Sequence, residues 1–207
     1  MEGLESNKTE QQILEAAYRV FQKKGKAGAR MQEIADEAGI NKSMLHYYFR
    51  NKDSLFKKIF LQSITEFLGS VIPLINDQET TWEEKIKGLI GHYINFMRHR
   101  PDLPFFVMNE INQNSVEFFN HLNLNIGSTL MNSYFFIQLQ EEMKAGKIRN
   151  LNPLQIFISI LSNVIFPFIA APMIKRVGKM SDEDWDSFIS QRELFTSELI
   201  INYIVKI

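Results

Sequence analysis

The sequence predicts an all-α fold of about nine helices. Apolar residues recur at spacings of three and four along most of the chain, which is the period of a helix. No stretch alternates apolar and polar residues over a length useful for a strand, and several predicted helices begin at a capping residue. With 207 residues, of which 45% are hydrophobic and 23% charged, the chain can bury a sizeable core.

The first predicted helix carries one apolar stripe. Its members are Ile13, Leu14, Ala16, Ala17, Val20 and Phe21. Thr9 is a suitable N-cap, because Gln12 follows it three residues later as in a capping box. Gly25 is suited to the residue after the helix end.

The next three predicted helices are 31–38, 42–49 and a long helix from about Ser54 toward Ile75. Gly39 ends the first of them, and Asn41 is placed to cap the second. Asp53 is placed to cap the third, which Pro73 is expected to kink or end.

The remainder of the chain predicts five more helices. They are 81–98, 101–112, 115–145, 152–170 and 181–205. Asn152 followed by Pro153 is a typical helix start. Ser181 precedes three acidic residues, which the positive end of a helix dipole favours.

Residues 31–49 contain the spacing of a helix-turn-helix. Ala35 is small enough for two helices to cross closely, and Gly39 tolerates the positive φ of a tight turn. Leu45 and Phe49 would anchor the second helix, which can then lie in a DNA major groove. Its outward residues are Lys42, Ser43, His46 and Tyr47, and all four side chains can contact bases or phosphates. The same spacing also occurs in helical proteins that do not bind DNA.

Charge supports an anionic partner for the first quarter of the chain. The net charge of −1 divides into +3 for residues 1–60 and −4 for residues 61–207. Lys52, just before the predicted fourth helix, could hold a phosphate together with the amides of that helix N-terminus.

Two segments together resemble the TetR family of bacterial transcriptional regulators. They read ILEAAYRVFQKKG at 13–25 and IADEAGINKSMLHYYFRNKDSLF at 34–56. The resemblance implies a DNA-binding domain at 1–53 and a ligand-binding, dimerising domain at 54–207. It also implies a repressor that its ligand releases from DNA. By position, Tyr48 and Lys52 would hold phosphates while the outward residues of the second helix face the bases.

Three positions depart from the family pattern. Ala29 stands where the family usually has a hydroxyl residue that caps a helix and contacts phosphate, so Arg30 or Gln32 is expected to contact the phosphate instead. His46 stands where tyrosine is frequent, and Ser43 where glycine is frequent. These departures bear on which bases are read.

The later part of the chain is rich in phenylalanine, often in adjacent pairs, and such residues suit a flat or lipophilic ligand. Simple core packing is the alternative. The candidate ligand-binding residues are His92, Phe96, Phe105, Met108, Asn109, Asn125 and Phe166.

The last two predicted helices carry apolar residues at helical spacing. With a symmetry mate they could form a four-helix bundle, and packing within one chain is the alternative. The candidate dimer residues are Leu161, Ile165, Phe168, Phe188, Phe195, Leu199 and Tyr203. A homodimer would read a near-palindromic operator in double-stranded DNA, with half-sites about 34–36 Å apart.

An enzyme is not expected. The chain has no cysteine, which excludes disulfides, thiolate metal sites and cysteine nucleophiles, and no cofactor or metal is predicted. His92 and His99 are seven residues apart, and HExxH, GxSxG, P-loop and GxGxxG motifs are absent. A helical interaction module without DNA binding is the other alternative, and the missing hydroxyl at Ala29 is its best support.

The sequence also predicts a cytoplasmic protein that does not enter a membrane. The first twelve residues are polar, unlike a signal peptide. The most apolar run, 156–171, is shorter than the roughly 20 apolar residues of a membrane span.

Overall fold

The computed structural model describes residues 2–108, 111–112 and 126–205, and the side chains from residue 7 onward except those of 126 and 127. The prediction of an all-α fold is confirmed: the described residues contain helices and one isolated bridge, between Ile148 and Val205. Residues 103–108 and 111–112 are also helical. The helices with defined bounds are α1 Glu2–Gly28, α2 Met31–Glu37, α3 Lys42–Tyr48, α4 Lys52–Asn76, α5 Trp82–His99, α6 Ile126–Met131, α7 Tyr134–Lys144, α8 Pro153–Ile169, α9 Ala171–Gly178 and α10 Asp182–Ile204.

Two predicted N-caps in the first part of the chain, Thr9 and Asp53, are wrong. Helix α1 begins well before Thr9, and it is broken at Gly25, where a non-helical φ of 66° and ψ of 167° agree with the predicted stop. Helix α4 is capped by Asn51, whose Oδ1 accepts the Ser54 N–H at 2.8 Å, and not by Asp53. Asp53 lies in the first turn of the helix instead.

The prediction of one long helix over 115–145 is wrong for the described residues of that range. Helices α6 and α7 are separate, because Ser133 caps α7 by accepting the Phe136 N–H. Helix α9 was not predicted: it has only eight residues and follows α8 after a single cap residue, Ala170. The caps at Thr81, Asn152 and Ser181 each accept a backbone N–H, and the helices that follow them begin within one residue of prediction.

By packing, the chain divides into two compact units, Met1–Thr65 and Glu66–Ile207. Helix α4 contributes to both units, so the division lies within a helix. In the first unit, α1 packs on α2 and α2 on α3 around buried residues such as Ile13, Ile34 and Leu45. The functional division at residue 53 stays a prediction.

Helix α5 is central to the second unit. It packs on α7, α8 and α10, and it buries Ile86, Leu89 and Ile90 almost completely. At its C-terminal end, Arg98 donates to the Asp186 carbonyl at 3.0 Å and to Ser190 Oγ at 2.6 Å on α10. These two bonds tie the end of α5 to α10.

By length and composition, α4 could cross a membrane, and α8 with α9 could form a second span bent by 70°. In α4, however, Ile59, Phe60, Phe67 and Val71 are buried against the protein. Core helices of globular proteins pass the same test.

Candidate nucleic-acid interface and ligand cavity

The turn between α2 and α3 depends on Gly39. Its φ is 66°, a left-handed conformation that costs an L side chain free energy. The Gly39 N–H donates to Asp36 O at 3.1 Å, and the Ile40 N–H donates to Ala35 O at 3.0 Å. This pair of bonds is a Schellman motif, which ends α2 sharply and turns the chain into α3.

One face of helix α3 is anchored in the core of the first unit, and the opposite face is exposed to solvent. Asn41 Oδ1 accepts the Met44 N–H at 2.8 Å and caps the helix, as predicted. Leu45 is fully buried and Phe49 nearly so. The predicted base-facing residues Lys42, Ser43, His46 and Tyr47 are all exposed, Tyr47 by 83%. The buried anchors therefore orient a polar face toward solvent.

Helix α2 is capped without a hydroxyl side chain at position 29, where the residue is Ala29. The Ala29 side chain is buried in the core of the first unit. Glu33 Oε2 accepts the Arg30 N–H at 3.2 Å, so the cap is supplied from within the helix. Arg30 is exposed, while Gln32 donates its amide to Asp36 Oδ1 at 2.8 Å. Of the two alternatives for the phosphate contact, this arrangement favours Arg30.

The two residues expected to hold phosphates are partly engaged by the protein itself. Lys52 Nζ donates to the carbonyl oxygens of Ala27 at 3.2 Å and Ala29 at 3.0 Å. The Tyr48 ring is half-buried and lies edge-on to Tyr47, with 5.4 Å between ring centroids. Lys52 therefore has at most one ammonium hydrogen left for a phosphate.

Two acidic side chains of α2 are paired with cations of α1. Glu33 Oε1 accepts from Lys24 at 2.9 Å, and Glu37 Oε1 accepts from Arg19 at 2.7 Å. These hydrogen bonds hold the pKa of both carboxyl groups below its ordinary value, against a smaller opposing effect of burial. Because the acids are neutralised locally, they offset little of the positive charge of α3 and its flanks.

The second unit contains an apolar cavity of about 60 Å³. Among the described residues, four helices line it: α4 contributes five residues, α6 two, and α5 and α8 one each. The lining residues are Phe67, Leu68, Val71, Ile72, Ile75, Tyr93, Thr129, Leu130 and Phe157. Apart from the hydroxyl groups of Tyr93 and Thr129, these side chains are hydrocarbon, which suits a lipophilic ligand.

Of the predicted ligand residues that the structure describes, none lines this cavity. Phe105, Met108 and Phe166 are between 51% and 57% exposed, and their role in ligand binding stays a prediction.

His92 and Phe96 lie one contact away from the cavity, both against Phe67, with ring centroids at 5.6 and 4.7 Å. His92 Nε2 also lies 2.7 Å from Ser70 Oγ. Asn109 and Asn125 lie outside the described residues. The prediction missed Phe67, Tyr93 and Phe157 because it followed adjacent phenylalanine pairs, whereas these three come from different helices.

Helix α10 presents an exposed apolar stripe. Phe195, Leu199 and Tyr203 are spaced four residues apart and are at least half exposed. On the neighbouring α8, Leu161 and Ile165 are half-buried. Such a stripe is unusual on a monomer and typical of an interface.

The predicted interface residue Phe168 is corrected. Its side chain is buried and contacts Trp185 of the same chain, with ring centroids 6.4 Å apart. Phe188 is half-buried and stacks on the other side of this cluster, 5.7 Å from the Trp185 ring. Both residues therefore support packing within one chain.

A second, larger depression lies between α8 and α10. Its volume is about 430 Å³, and it includes Asn163, Leu199 and Tyr203. Because it shares residues with the exposed stripe, it belongs to the candidate interface. Within the part of the chain that the structure describes, no three metal-ligating side chains come together.

Comparison with known proteins matches residues 13–59 to the family described as bacterial regulatory proteins of the tetR family. A probable HTH-type transcriptional regulator, YttP of Bacillus subtilis, is 26% identical over 85% of this chain and 84% of its own length. The fatty acid metabolism regulator protein of the same organism is 23% identical over 67% of this chain and 70% of its own. These relatives are regulators, not enzymes.

Solved structures share the fold. A TetR transcription regulator from Haloarcula marismortui has a TM-score of 0.67 at 19% identity, covering 97% of this chain and 100% of its own. The regulator FadR from Bacillus subtilis, in complex with stearoyl-CoA, has a TM-score of 0.63 at 19% identity, covering 94% and 98%. The helix-turn-helix geometry, the family match and this shared fold agree: residues 13–59 match the DNA-binding region of the TetR family of transcriptional regulators, and the chain has the fold of solved TetR regulators.

Proposed function

We propose that the protein is a cytoplasmic, homodimeric repressor that leaves its operator when a small hydrophobic effector binds the second unit. The observation that carries the proposal is the geometry of α3. Its buried anchor Leu45 and its capped start fix the orientation of the helix, and Tyr47 on the opposite face is 83% exposed. A rigid helix with an exposed polar face is what reading base edges requires.

In the complex, Lys42, Ser43, His46 and Tyr47 would face the bases. Lysine and serine can donate to guanine or phosphate oxygens, and the two rings can contact thymine methyl groups. Arg30, at the N-terminus of α2, would contact the backbone and fix the register without reading sequence.

Dimerisation would use the stripe on α10 together with α8. Two copies would bury Phe195, Leu199 and Tyr203 against one another and remove the exposed apolar surface from water. The two α3 helices would then meet the two halves of a near-palindromic operator.

The effector would act through α4. This helix supplies five of the nine described residues around the cavity, and it starts four residues after α3 ends. A cavity of about 60 Å³ is smaller than the roughly 300–1,000 Å³ that encloses a drug-sized ligand, so such an effector would have to widen it. Widening displaces α4, and an effector that prefers the widened state shifts the population away from the DNA-binding state. The stearoyl-CoA bound to the Bacillus subtilis regulator is an example, in this fold, of a ligand with a long apolar acyl chain.

The test is a titration of the purified protein onto fluorescent DNA from upstream of its own gene, with a scrambled duplex of equal length beside it. Both titrations are run at two salt concentrations. The proposal predicts tight binding to the upstream DNA and a preference that survives moderate salt. Equal, weak binding to both duplexes that disappears with salt would reduce the interaction to backbone electrostatics and would contradict the proposal for that site.

A further inference from the structure

A backbone carbonyl group holds the imidazole ring of His46. Helix α3 ends at Tyr48, the chain continues through Phe49 in an extended conformation, and the Arg50 carbonyl oxygen then lies 3.3 Å from His46 Nδ1. A carbonyl oxygen accepts hydrogen bonds and cannot donate one. The contact therefore requires a proton on Nδ1, and in the neutral ring it selects the tautomer that carries its proton there.

The other ring nitrogen, Nε2, is left without a proton in this tautomer and can act only as an acceptor. The two nitrogens flank one ring carbon and point in diverging directions, so Nε2 points away from the Arg50 carbonyl. His46 is exposed, and no hydrogen bond from the described residues engages its Nε2. The ring thus presents an oriented acceptor on the exposed face of α3.

This acceptor distinguishes His46 from the other outward side chains of α3. The ammonium group of Lys42, one turn before His46 on the same face, can only donate. The hydroxyl groups of Ser43 and Tyr47 can rotate to donate or accept. Neutral His46 is therefore the outward residue whose free nitrogen is restricted to accepting a hydrogen bond.

The groups of DNA that can donate to this nitrogen are few. In the major groove the donors are the amino groups on N6 of adenine and N4 of cytosine, whereas guanine and thymine present acceptor oxygens there. Phosphate oxygens are acceptors as well, so Nε2 in this tautomer cannot hydrogen-bond to the DNA backbone. A base amino group is the partner that fits.

We propose that His46 is a specificity-determining residue whose Nε2 accepts a hydrogen bond from the amino group of an adenine or a cytosine in the operator. The proposal rests on the proposed reading of bases by α3 and adds the class of base edge that this residue reads. Arg50 acts through its carbonyl group, which orients the ring. Guanine or thymine at the same place would bring two acceptors together and would be rejected.

The tautomer is tested first, without DNA. The full-length protein is labelled with ¹⁵N at its four histidines and studied at pH 8.5, above the pH range in which histidine usually titrates. Long-range ¹⁵N–¹H correlation shows which ring nitrogen carries the proton, and the signals lost in His46→Phe are those of His46. We expect Nδ1 to be protonated in the main form. A main form protonated on Nε2 would overturn the proposal.

A double-mutant cycle between protein and DNA tests the contact itself. Sites are selected from a randomised duplex library by the unmodified protein and by His46→Phe, which keeps a flat ring and removes both nitrogens. The base pair whose preference depends on His46 is then altered in two ways. One duplex replaces the exocyclic amino group by hydrogen, with purine for adenine or 2-pyrimidinone for cytosine. The other replaces N7 of the purine by CH.

His99→Phe is the matched control for the substitution. The His99 side chain is also exposed, and its Nδ1 also lies near a backbone carbonyl oxygen, that of Asn95 at 2.8 Å. It belongs to the second unit and not to α3. Its substitution should leave the selected site and all affinities unchanged.

Removing the amino group should weaken binding of the unmodified protein about 3- to 10-fold more than binding of His46→Phe, the range for one net hydrogen bond. Replacing N7 should affect the two proteins equally, because N7 is an acceptor. A coupling to N7 instead of the amino group would show that His46 donates, and would overturn the proposal.

Two further outcomes separate this proposal from the proposed function. If a site is selected but neither atom couples to His46, or no base pair depends on it, the protein reads DNA and the role assigned to His46 is wrong. If the library yields no preferred sequence, the proposed function fails and the role of His46 fails with it.

Discussion

The ammonium nitrogen of Lys52 lies 3.0 Å from the carbonyl oxygen of Ala29. A second bond, to the Ala27 carbonyl at 3.2 Å, ties the first residue of α4 to the last turn of α1. Lys26, in the same turn, pairs with Asp53 at 3.1 Å and lies over the Phe56 ring, 4.9 Å from its centroid. Two lysines thus join the start of α4 to the end of α1, which makes Lys52 a positioning residue.

Replacing Lys52 by methionine should weaken binding to operator DNA while leaving its salt dependence unchanged. A phosphate contact contributes close to one unit to the slope of log affinity against log salt concentration, whereas a contact within the protein contributes none. Anisotropy titrations at four salt concentrations measure the slope. A slope lowered by about one unit would show that Lys52 holds a phosphate after all. Arg30→Ala, which removes the proposed backbone contact, is the comparison that should lower the slope.

Gly39→Ala should destabilise the first unit by about 1–2 kcal/mol, the cost of a left-handed conformation for an L residue. A Cβ at this position meets nothing within 4 Å, so the conformational cost acts alone. Gly69→Ala is the matched control, since a Cβ there also meets nothing and the residue is helical. The control should be neutral or stabilising. Urea unfolding followed by circular dichroism compares the two variants, and equal stability would contradict the argument from Gly39.

The sequence was sufficient to predict the helix-turn-helix because its signals are local. Gly39, Asn41 and Leu45 each act within five residues, through a positive φ, a capping oxygen and a helical period. The predicted cap of α4 was wrong because asparagine and aspartate are equally favoured N-cap residues, so the sequence does not distinguish Asn51 from Asp53. Only the backbone geometry decides that Asn51 accepts the Ser54 N–H.

Lys85→Met should change the pH dependence of stability. Lys85 is 1% exposed, and its ammonium donates to the carbonyl and hydroxyl oxygens of Thr80. Burial lowers its pKa below 10.5 in the folded state, although Asp77 and Glu84 oppose this. Between the lowered value and 10.5, the unfolded chain binds more protons, so the free energy of unfolding rises with pH.

Relative to Lys85→Met, the unmodified protein should therefore gain stability as the pH rises through the lowered pKa to 10.5. The gain amounts to about 1.4 kcal/mol for each unit by which the pKa is lowered. Urea unfolding of both proteins at matched pH values measures it. A difference that stays constant over this range would show that the lysine is as well stabilised inside the protein as in water.

Leu199→Glu should disrupt the proposed dimer. Leu199 is 50% exposed in the middle of the α10 stripe, and a twofold axis would bring two carboxylates into one apolar contact. The dimer dissociation constant should rise by about 30-fold or more, as for a central interface residue. Analytical ultracentrifugation measures this. Ile137→Glu, on the exposed face of α7, is the control that should leave the dimer intact. Dimers of unchanged stability in Leu199→Glu would place the interface elsewhere.

The cavity could not be predicted from the sequence because its lining is tertiary. Phe67, Tyr93 and Phe157 lie on three helices and converge only when α5 packs between its neighbours. Helical spacing predicts that all three side chains face the core. It does not predict which of them border a space that no other side chain fills. The same limit explains why Phe168 was predicted in the dimer interface. Its position in the helical repeat suits an interface, but its side chain packs on Trp185 of the same chain.

The measurement that tests the account most directly is a ratio of affinities. The dissociation constants for scrambled and upstream DNA are compared in the unmodified protein and in the double variant Lys42→Ala, Tyr47→Ala. We expect the unmodified protein to prefer the upstream DNA by about 10³-fold or more and the double variant to lose most of that preference. Its affinity for scrambled DNA should change far less, because the other cations remain. A preference unchanged in the double variant would contradict the central claim that the exposed face of α3 reads the operator.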